Sequence, residues 1–445
     1  MFTRFYDAVS YVFSSYTQSK PYRVDGLDRD TRNPLHIRHL LDNIGSPDRL
    51  QRNIKITGSK GKGSTSRMIA QILEQQGYRV GLFTSPHLLD FTERIRVNRK
   101  AISEADFMRL LERIRGPLEQ IQRVMAPHEY FGPVGITAVV AMLYFAEMRT
   151  NINVIELGRG ARYDDVNALH AELAVITPVL YEHPEQLGAH ISEIANNKAG
   201  IMTPELMGVV VGYQVEPALS ILRDEGRKEG KVLRELNTDF WVQDVETSAQ
   251  GTRLSVITAQ QHYRALELRM LGRHQVDNAA VAMATAEWVV GGTLDLAKVR
   301  QALLDVSIPG RCQVIPGSPK VLIDGAINRE SAEYVREVLG MMTYSRLHLI
   351  SAVPSDKDYR GFLSVLAPLS QGLWLPKIKN KHLTFSADAQ TFAAQFVTVH
   401  AAIDLEEAIS LALEGLDEKG LLAIIGTQSL VAEALEYFHI DTRDA

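Results

Sequence analysis

Short unbroken apolar runs alternate along this chain with longer stretches whose apolar positions recur at helical spacing. Asn53-Ile54-Lys55-Ile56-Thr57 reads as a buried strand. Met68, Ile69, Ile72 and Leu73 then share one face of a helix that Gly77 stops, and Arg79 to Thr84 reads as a second strand. Further strands are predicted at Asn153 to Leu157, Leu173 to Thr177, Gly208 to Gly212, Val321 to Ile323, Leu347 to Ser351 and Leu421 to Ile425. Helical patterns separate most of them, which argues a parallel sheet with helices on both faces. The opening segment, through about Ser46, reads as amphipathic helix ended by Gly45-Ser46-Pro47. Phe240 to Leu268 alternates without a strong helical pattern and reads as a small antiparallel addition at the edge of the first domain. Around Ser307-Ile308-Pro309-Gly310 the chain changes character, and a second α/β set begins near Val314. The expected domains are therefore 1–307 and 308–445.

Composition narrows the classes. The 445 residues are 45% hydrophobic and 23% charged, an ordinary globular balance that excludes a mostly disordered or collagenous chain. Lys+Arg number 48 against 53 Asp+Glu, a net charge of −5, which disfavours a nucleic-acid partner. The longest apolar run, Ile136 to Ala146, falls short of the roughly 20 residues of a membrane helix. It is predicted as a buried helix, and no membrane association is expected. The single cysteine, Cys312, excludes an internal disulfide and reads as a small core residue. Met1 to Lys20 shows no secretory pattern, so a cytoplasmic protein is expected.

The candidate chemistry begins where the first strand runs into Gly58-Ser59-Lys60-Gly61-Lys62-Gly63-Ser64-Thr65. Backbone N–H groups in a strand-to-helix turn, with the helix N-terminus behind them, form an anion site suited to phosphates. Lys62 would neutralise phosphate charge. The spacing departs from G-x-x-x-x-G-K-[ST], because Gly63 stands between Lys62 and Ser64. Without its flanking strand and helix the segment would read as a flexible turn.

That variant resembles the G-T-N-G-K-G-S-T of the folylpolyglutamate synthase / dihydrofolate synthase branch of the Mur ligase family. Thr84-Ser85-Pro86-His87-Leu88 matches T-S-P-H-L, and Phe91-Thr92-Glu93-Arg94-Ile95-Arg96 is close to F-x-E-R-I-R. Residues Glu156 to Asn167 follow E-V-G-L-G-G-R-x-D-A-T-N; Glu182-His183 to Gly188 follows D-H-x-x-x-L-G; Asn197 to Ile201 follows E-K-A-G-I. Gly272-Arg273-His274-Gln275, Asn278, Pro309-Gly310-Arg311, Asp324-Gly325-Ala326, Asp356-Lys357-Asp358 and Gly426-Thr427 complete the order, from about residue 34 to 435. The resemblance implies a P-loop, Mur-ligase-like domain with a mostly parallel sheet, plus a smaller Rossmann-like α/β domain. It also implies an ATP-dependent ligase that activates a carboxylate as an acyl phosphate for attack by an amine.

By resemblance, Gly58, Gly61, Lys62, Gly63, Ser64, Thr65, Asn278, Arg311 and Asp324 would hold ATP, in a cleft between domains. Ser85, Glu156 and His183 would hold Mg²⁺. Lys198, carbamylated in the family, would bind a second Mg²⁺, and Lys62, His183 and Lys198 would form the catalytic set. Each has a plainer reading. On that reading Ser85 begins a turn before Pro86, Glu156 caps a loop, His183 is a loop histidine, Lys198 is an amphipathic-helix lysine, and Arg311 is a linker ion pair. The Asp356-Lys357-Asp358 loop fits a cleft lining or a solvated turn.

Four positions depart from the pattern. Lys60 replaces Asn, and Glu182 replaces the Asp before the histidine. An aromatic-Glu pair reads Tyr130-Phe131-Gly132, without the acid. D-G-A-H-N reads Asp324-Gly325-Ala326-Ile327-Asn328, and an isoleucine cannot hydrogen-bond an amino-acid carboxylate. The activating half of the pattern is intact and the acceptor half is altered. The alternatives are therefore a ligase for another carboxylate and amine, or a non-catalytic ATP-binding relative. The partners expected are a small carboxylate and a small amine, and the family leaning is a monomer.

Overall fold

The computed structural model describes residues 2–444. Its largest sheet has eight strands, in the order Lys100–Ala101, Ile95–Val97, Val80–Phe83, Ile152–Glu156, Asn53–Thr57, Leu173–Ile176, Gly208–Val211 and Val232–Glu235. The last six run parallel, and the first two add antiparallel pairings beyond Val80–Phe83. The central strands are buried along their whole length, which is why they read as unbroken apolar runs. One face packs on Phe107, Leu110, Ile136 and Val139, the other on Met68, Ile69, Ile72 and Leu73. Helix Lys62–Gln75 owes its place to those four side chains, each worth about 1.5–3 kcal/mol of burial. Ile69→Ala there would cost about 2–5 kcal/mol.

Where the pattern was weaker the structure differs. The opening segment is three helices, Phe5–Ser19, Asp28–Thr31 and Leu35–Asn43, broken around Pro21, Gly26 and Pro34. The alternating segment, by contrast, forms the small antiparallel addition expected of it, a three-stranded sheet of Trp241–Ser248, Gly251–Ile257 and His262–Leu268. Its Leu254, Val256, Tyr263 and Leu266 join the core that helix His274–Val290 also enters. Short edge strands such as Lys100–Ala101 and Val399–His400 offer too few residues for a period to show.

A third sheet orders Gln313–Ile315, Lys320–Asp324, Leu421–Gly426, Leu347–Ala352, Gly372–Trp374 and Val399–His400, parallel except for the first pair. It carries its own cores on both faces. The two lobes meet through Leu271, which packs in the second lobe's core, and through His274, whose ring centroid lies 5.1 Å from that of Tyr334. Cys312 is buried, as expected of a small core residue. Among the described residues no helix is long and apolar enough to cross a membrane.

Candidate active site

Parallel strands put their C-terminal ends on one edge. Ile56 pairs with Glu156, Thr57 with Ile176 and Phe83 with Ile155. The loops that follow these strands therefore open side by side, where open α/β sheets bind ligands. Gly58 has φ +143°, and a Cβ there would lie 1.9 Å from Thr177 Oγ1. Gly61 has φ +84°, and its Cβ would lie 2.6 Å from Asn278 Oδ1. Both positions need glycine for conformation and for space. The loop turns into the first helical residues, Lys62, Gly63, Ser64 and Thr65, and so presents the helix N-terminus. Lys62 Nζ donates to Gly58 O at 2.7 Å. Thr65 Oγ1 donates to Asn278 Oδ1 at 3.3 Å, and Asn278 Nδ2 donates to Gln275 Oε1 at 2.9 Å. Asn278 is thus tied to the loop from a helix more than 200 residues away in sequence.

The Glu156 carboxylate lies over the helix start, 3.6 Å from where a Cβ on Gly63 would stand. Its Oε2 accepts the N–H of Ser85 at 3.2 Å. Burial pushes this carboxyl up to about 7, against the opposing pull of Lys62. On the other side of the loop, Lys198 is 0% exposed. Its Nζ donates to Gly58 O at 2.9 Å, Arg159 O at 2.8 Å and Glu182 Oε1 at 2.9 Å. Burial, and then Lys62, lower its amine to about 8. Lys198 is therefore no solvated helix lysine, because helix Ile191–Ala199 points it at the phosphate loop. Glu182 serves as its counter-ion. His183 is exposed beside them, within the fields of Glu182, Arg159, Lys198 and Lys357.

The second lobe offers Arg311 and Asp324. Arg311 is exposed, and its charge acts on Glu156, Lys60 and His274, all in the first lobe. Asp324 is buried and accepts N–H groups from Cys312 and Ala326, each at 2.8 Å. One oxygen thus holds the segment that carries Arg311, and the other ties down the turn that follows Asp324 itself. Ile327 is half-buried and packs on the second lobe's core. Asp358 caps helix Tyr359–Leu366, while Lys357 pairs with Asp356 at 2.9 Å and faces His183.

One group escaped the sequence reading. Asp28 pairs with Arg159 at 2.5 Å and lies 3.5 Å from Arg32, which lies 3.6 Å from Asp164. Asp164 accepts the N–H of Gly158 at 3.1 Å, and its neighbour Asp165 accepts that of Gly132 at 2.7 Å. Asp164 was visible in a motif. Asp28 and Arg32 sit some 130 residues away, in a stretch read only as helix, and nothing local marked them.

Residues 121–286 match the family described as the Mur ligase middle domain. The dihydrofolate synthase/folylpolyglutamate synthase of Bacillus subtilis is 30% identical over 382 residues, 84% of this chain and 85% of that one. The enzyme of the same name from Mycobacterium tuberculosis is 31% identical over 400 residues, covering 85% and 82%. A solved structure of M. tuberculosis folylpolyglutamate synthase, complexed with ADP and AMPPCP, superposes with a TM-score of 0.86 at 27% identity, over 98% of this chain and 100% of that one.

Proposed function

The chain belongs to the dihydrofolate synthase/folylpolyglutamate synthase branch of the Mur ligases, and from that premise we propose that it joins the carboxylate of a folate or pteroate to the amine of glutamate at the expense of ATP. The observation that carries this reading is the convergence of Lys62, Glu156 and Lys198 on one glycine loop, with Arg311 facing them from the other lobe.

The roles follow from charge. The loop 58–65 cradles the phosphates through backbone N–H groups, with Lys62 as counter-charge. Asn278 and Arg311 hold the nucleotide from opposite lobes, and Asp324 keeps Arg311's loop in place. The acid's oxygen attacks the γ-phosphorus of ATP, ADP leaves, and an acyl phosphate forms. The amine then attacks the acyl carbon, phosphate leaves, and the amine proton is released. Negative charge gathers in both steps, where fixed cations act most strongly. Mg²⁺ fits the donors present, since it prefers hard oxygens and few protein contacts, and the buried Glu156 carboxylate beside Ser85 offers such a place. Ser85, Glu156 and His183 would hold it, and it would neutralise phosphoryl charge.

Lys198 is proposed to take up CO₂: its neutral amine bonds the carbon and loses a proton, leaving a carbamate that would bind a second Mg²⁺. Its depressed amine, lowered to about 8, supports this by supplying the neutral form. The lobes divide at 307/308 in this reading, and the protein acts as a cytoplasmic monomer. A second reading, another amine or acid in place of glutamate or folate, is favoured by Ile327, whose side chain offers no hydrogen bond. ADP release with Mg·ATP, dihydropteroate or tetrahydrofolate, and glutamate tests the first reading. Release only with other acid–amine pairs supports the second.

A further inference from the structure

The central strand Asn53–Thr57 has two unlike faces. Ile54 and Ile56 join the core that holds Met68, Ile69, Ile72 and Leu73. Asn53, Lys55 and Thr57 share the opposite face by the strand period of two, and all three are fully buried. Each donates to a carbonyl of the chain between Gly160 and His170. Asn53 Nδ2 reaches His170 O at 2.9 Å, and Thr57 Oγ1 reaches Gly160 O at 3.0 Å. Between them, Lys55 Nζ reaches Asn167 Oδ1 at 2.9 Å and Asn167 O at 3.2 Å.

The same segment donates in turn to the end of helix Ile191–Ala199. The N–H of Ala161 goes to Asn197 Oδ1 and that of Arg162 to Asn197 O, each at 3.0 Å, and Asn167 Nδ2 goes to Gly200 O at 2.9 Å. Lys198 stands between these anchors, and its Nζ meets the segment again at Arg159 O. One side-chain amide therefore joins strand to helix, since Asn167 accepts from Lys55 through its oxygen and gives to Gly200 through its nitrogen. Lys55 is the unexpected member of this arrangement. Among the described residues it forms no ion pair; Glu205 and Asp48 act on it only from a distance, and Asp48 is already paired with Arg38 at 2.6 Å. Burial lowers its amine to about 8, against the pull of those two acids. An apolar side chain of the same length would avoid that desolvation. It would also leave both Asn167 oxygens without this donor.

We propose that Lys55 is a positioning residue for the ligase reaction: through the Asn167 amide it fixes the end of the helix that aims Lys198 at the phosphate loop. This deepens the ligase reading above and rests on it. A misplacement of about 1 Å at a catalytic group costs on the order of 10²-fold in rate, so a lysine sealed in the core can govern turnover without touching a reacting atom.

Two variants of the full chain test it. Lys55→Met keeps the length and removes the donor. Asn167→Asp keeps both acceptors, gives Lys55 a carboxylate partner, and removes only the donor to Gly200 O. Hydrogen exchange read by mass spectrometry reports the link itself. Each variant is expected to speed exchange in peptides covering 191–202 about ten-fold, with the helix at 62–75 changed less than about two-fold. Unchanged exchange at 191–202 overturns the link. Steady-state ADP release with Mg·ATP, dihydropteroate or tetrahydrofolate, and glutamate reports the reaction. Each variant is expected to lower kcat about ten-fold, with the KM for ATP and for the acid changed less than about two-fold. The double variant is expected to fall less than about two-fold below either single one, because both break one connection. Asn167→Asp is also expected to keep its thermal midpoint within about 2 °C of wild type while its kcat falls. A wild-type kcat in Asn167→Asp, a loss confined to KM, losses that multiply in the double variant, or a kcat that merely follows the midpoint overturns the assignment. Where Lys55→Met does not fold, Asn167→Asp alone decides. A wild type that releases ADP with neither acid overturns the ligase reading and the positioning role with it, while the exchange measurement still decides the link between strand and helix.

Discussion

Lys198 and Ile327 stand on opposite lobes, and their surroundings differ in kind. Lys198 is sealed from solvent, and its ammonium is spent on the phosphate loop, the Arg159 carbonyl and Glu182. Ile327 is half-buried against an apolar core and brings only its backbone N–H, given to Ser331 Oγ at 3.1 Å. Activation of a carboxylate needs fixed charges at fixed places, so its residues are held from several elements at once. Recognition of the incoming amine needs only complementarity to one small molecule, and a single side chain can change it. In the proposed reading, activation lies where several elements fix each charge, and recognition of the amine lies where a single side chain decides.

The largest effect that would break this contrast lies at Lys198. Lys198→Ala is expected to lower kcat about 10³-fold or more while far-ultraviolet circular dichroism stays native, with partial rescue by an added short-chain carboxylate. Full activity would remove both the carbamate and the distinction between the corners. Lys62→Ala comes next, with a loss of about 10²–10³ in kcat/KM for ATP and an unchanged affinity for the acid measured by direct titration.

Glu156 gives a stability effect with a definite sign. Burial holds its carboxyl at about 7, above the ordinary 4.5. Between those values the folded chain keeps a proton that the unfolded chain has released. The stability from this group is therefore present below about 4.5 and is lost as pH rises to about 7. Glu156→Gln never ionises, so without magnesium it is expected to gain on wild type from about pH 5 to about pH 8, by on the order of 3 kcal/mol. Urea midpoints at the two pH values measure the gap, and a gap that does not widen contradicts the burial. The smallest effect is at the other corner. Ile327→His restores a polar ring, and is expected to change the KM for glutamate by about three- to ten-fold while leaving that for ATP alone.

How much of this was legible follows the same physics. The strands Asn53–Thr57 and Ile152–Glu156 showed as apolar runs because helices cover both their faces. The loop at Gly58 and Gly61 showed because its conformation demands glycine at set positions. The burial of Lys198 was hidden, since its helix spacing is that of any amphipathic lysine and its partners come from loops at 58, 159 and 182. The Gly132–Asp165 contact was hidden for a like reason, because its two partners lie 33 residues apart in separate motifs. Asp324 was visible in its motif, but that it spends its oxygens on Cys312 and Ala326 is a detail only neighbours determine.

The central claim is that this cleft passes a phosphoryl group from ATP to an organic acid. Dihydropteroate labelled with oxygen-18 in its carboxylate, turned over with Mg·ATP and glutamate, tests it most directly by mass analysis of the released phosphate. The account predicts that phosphate carries a labelled oxygen from the acid at every turnover. Product formed with phosphate free of label would contradict it.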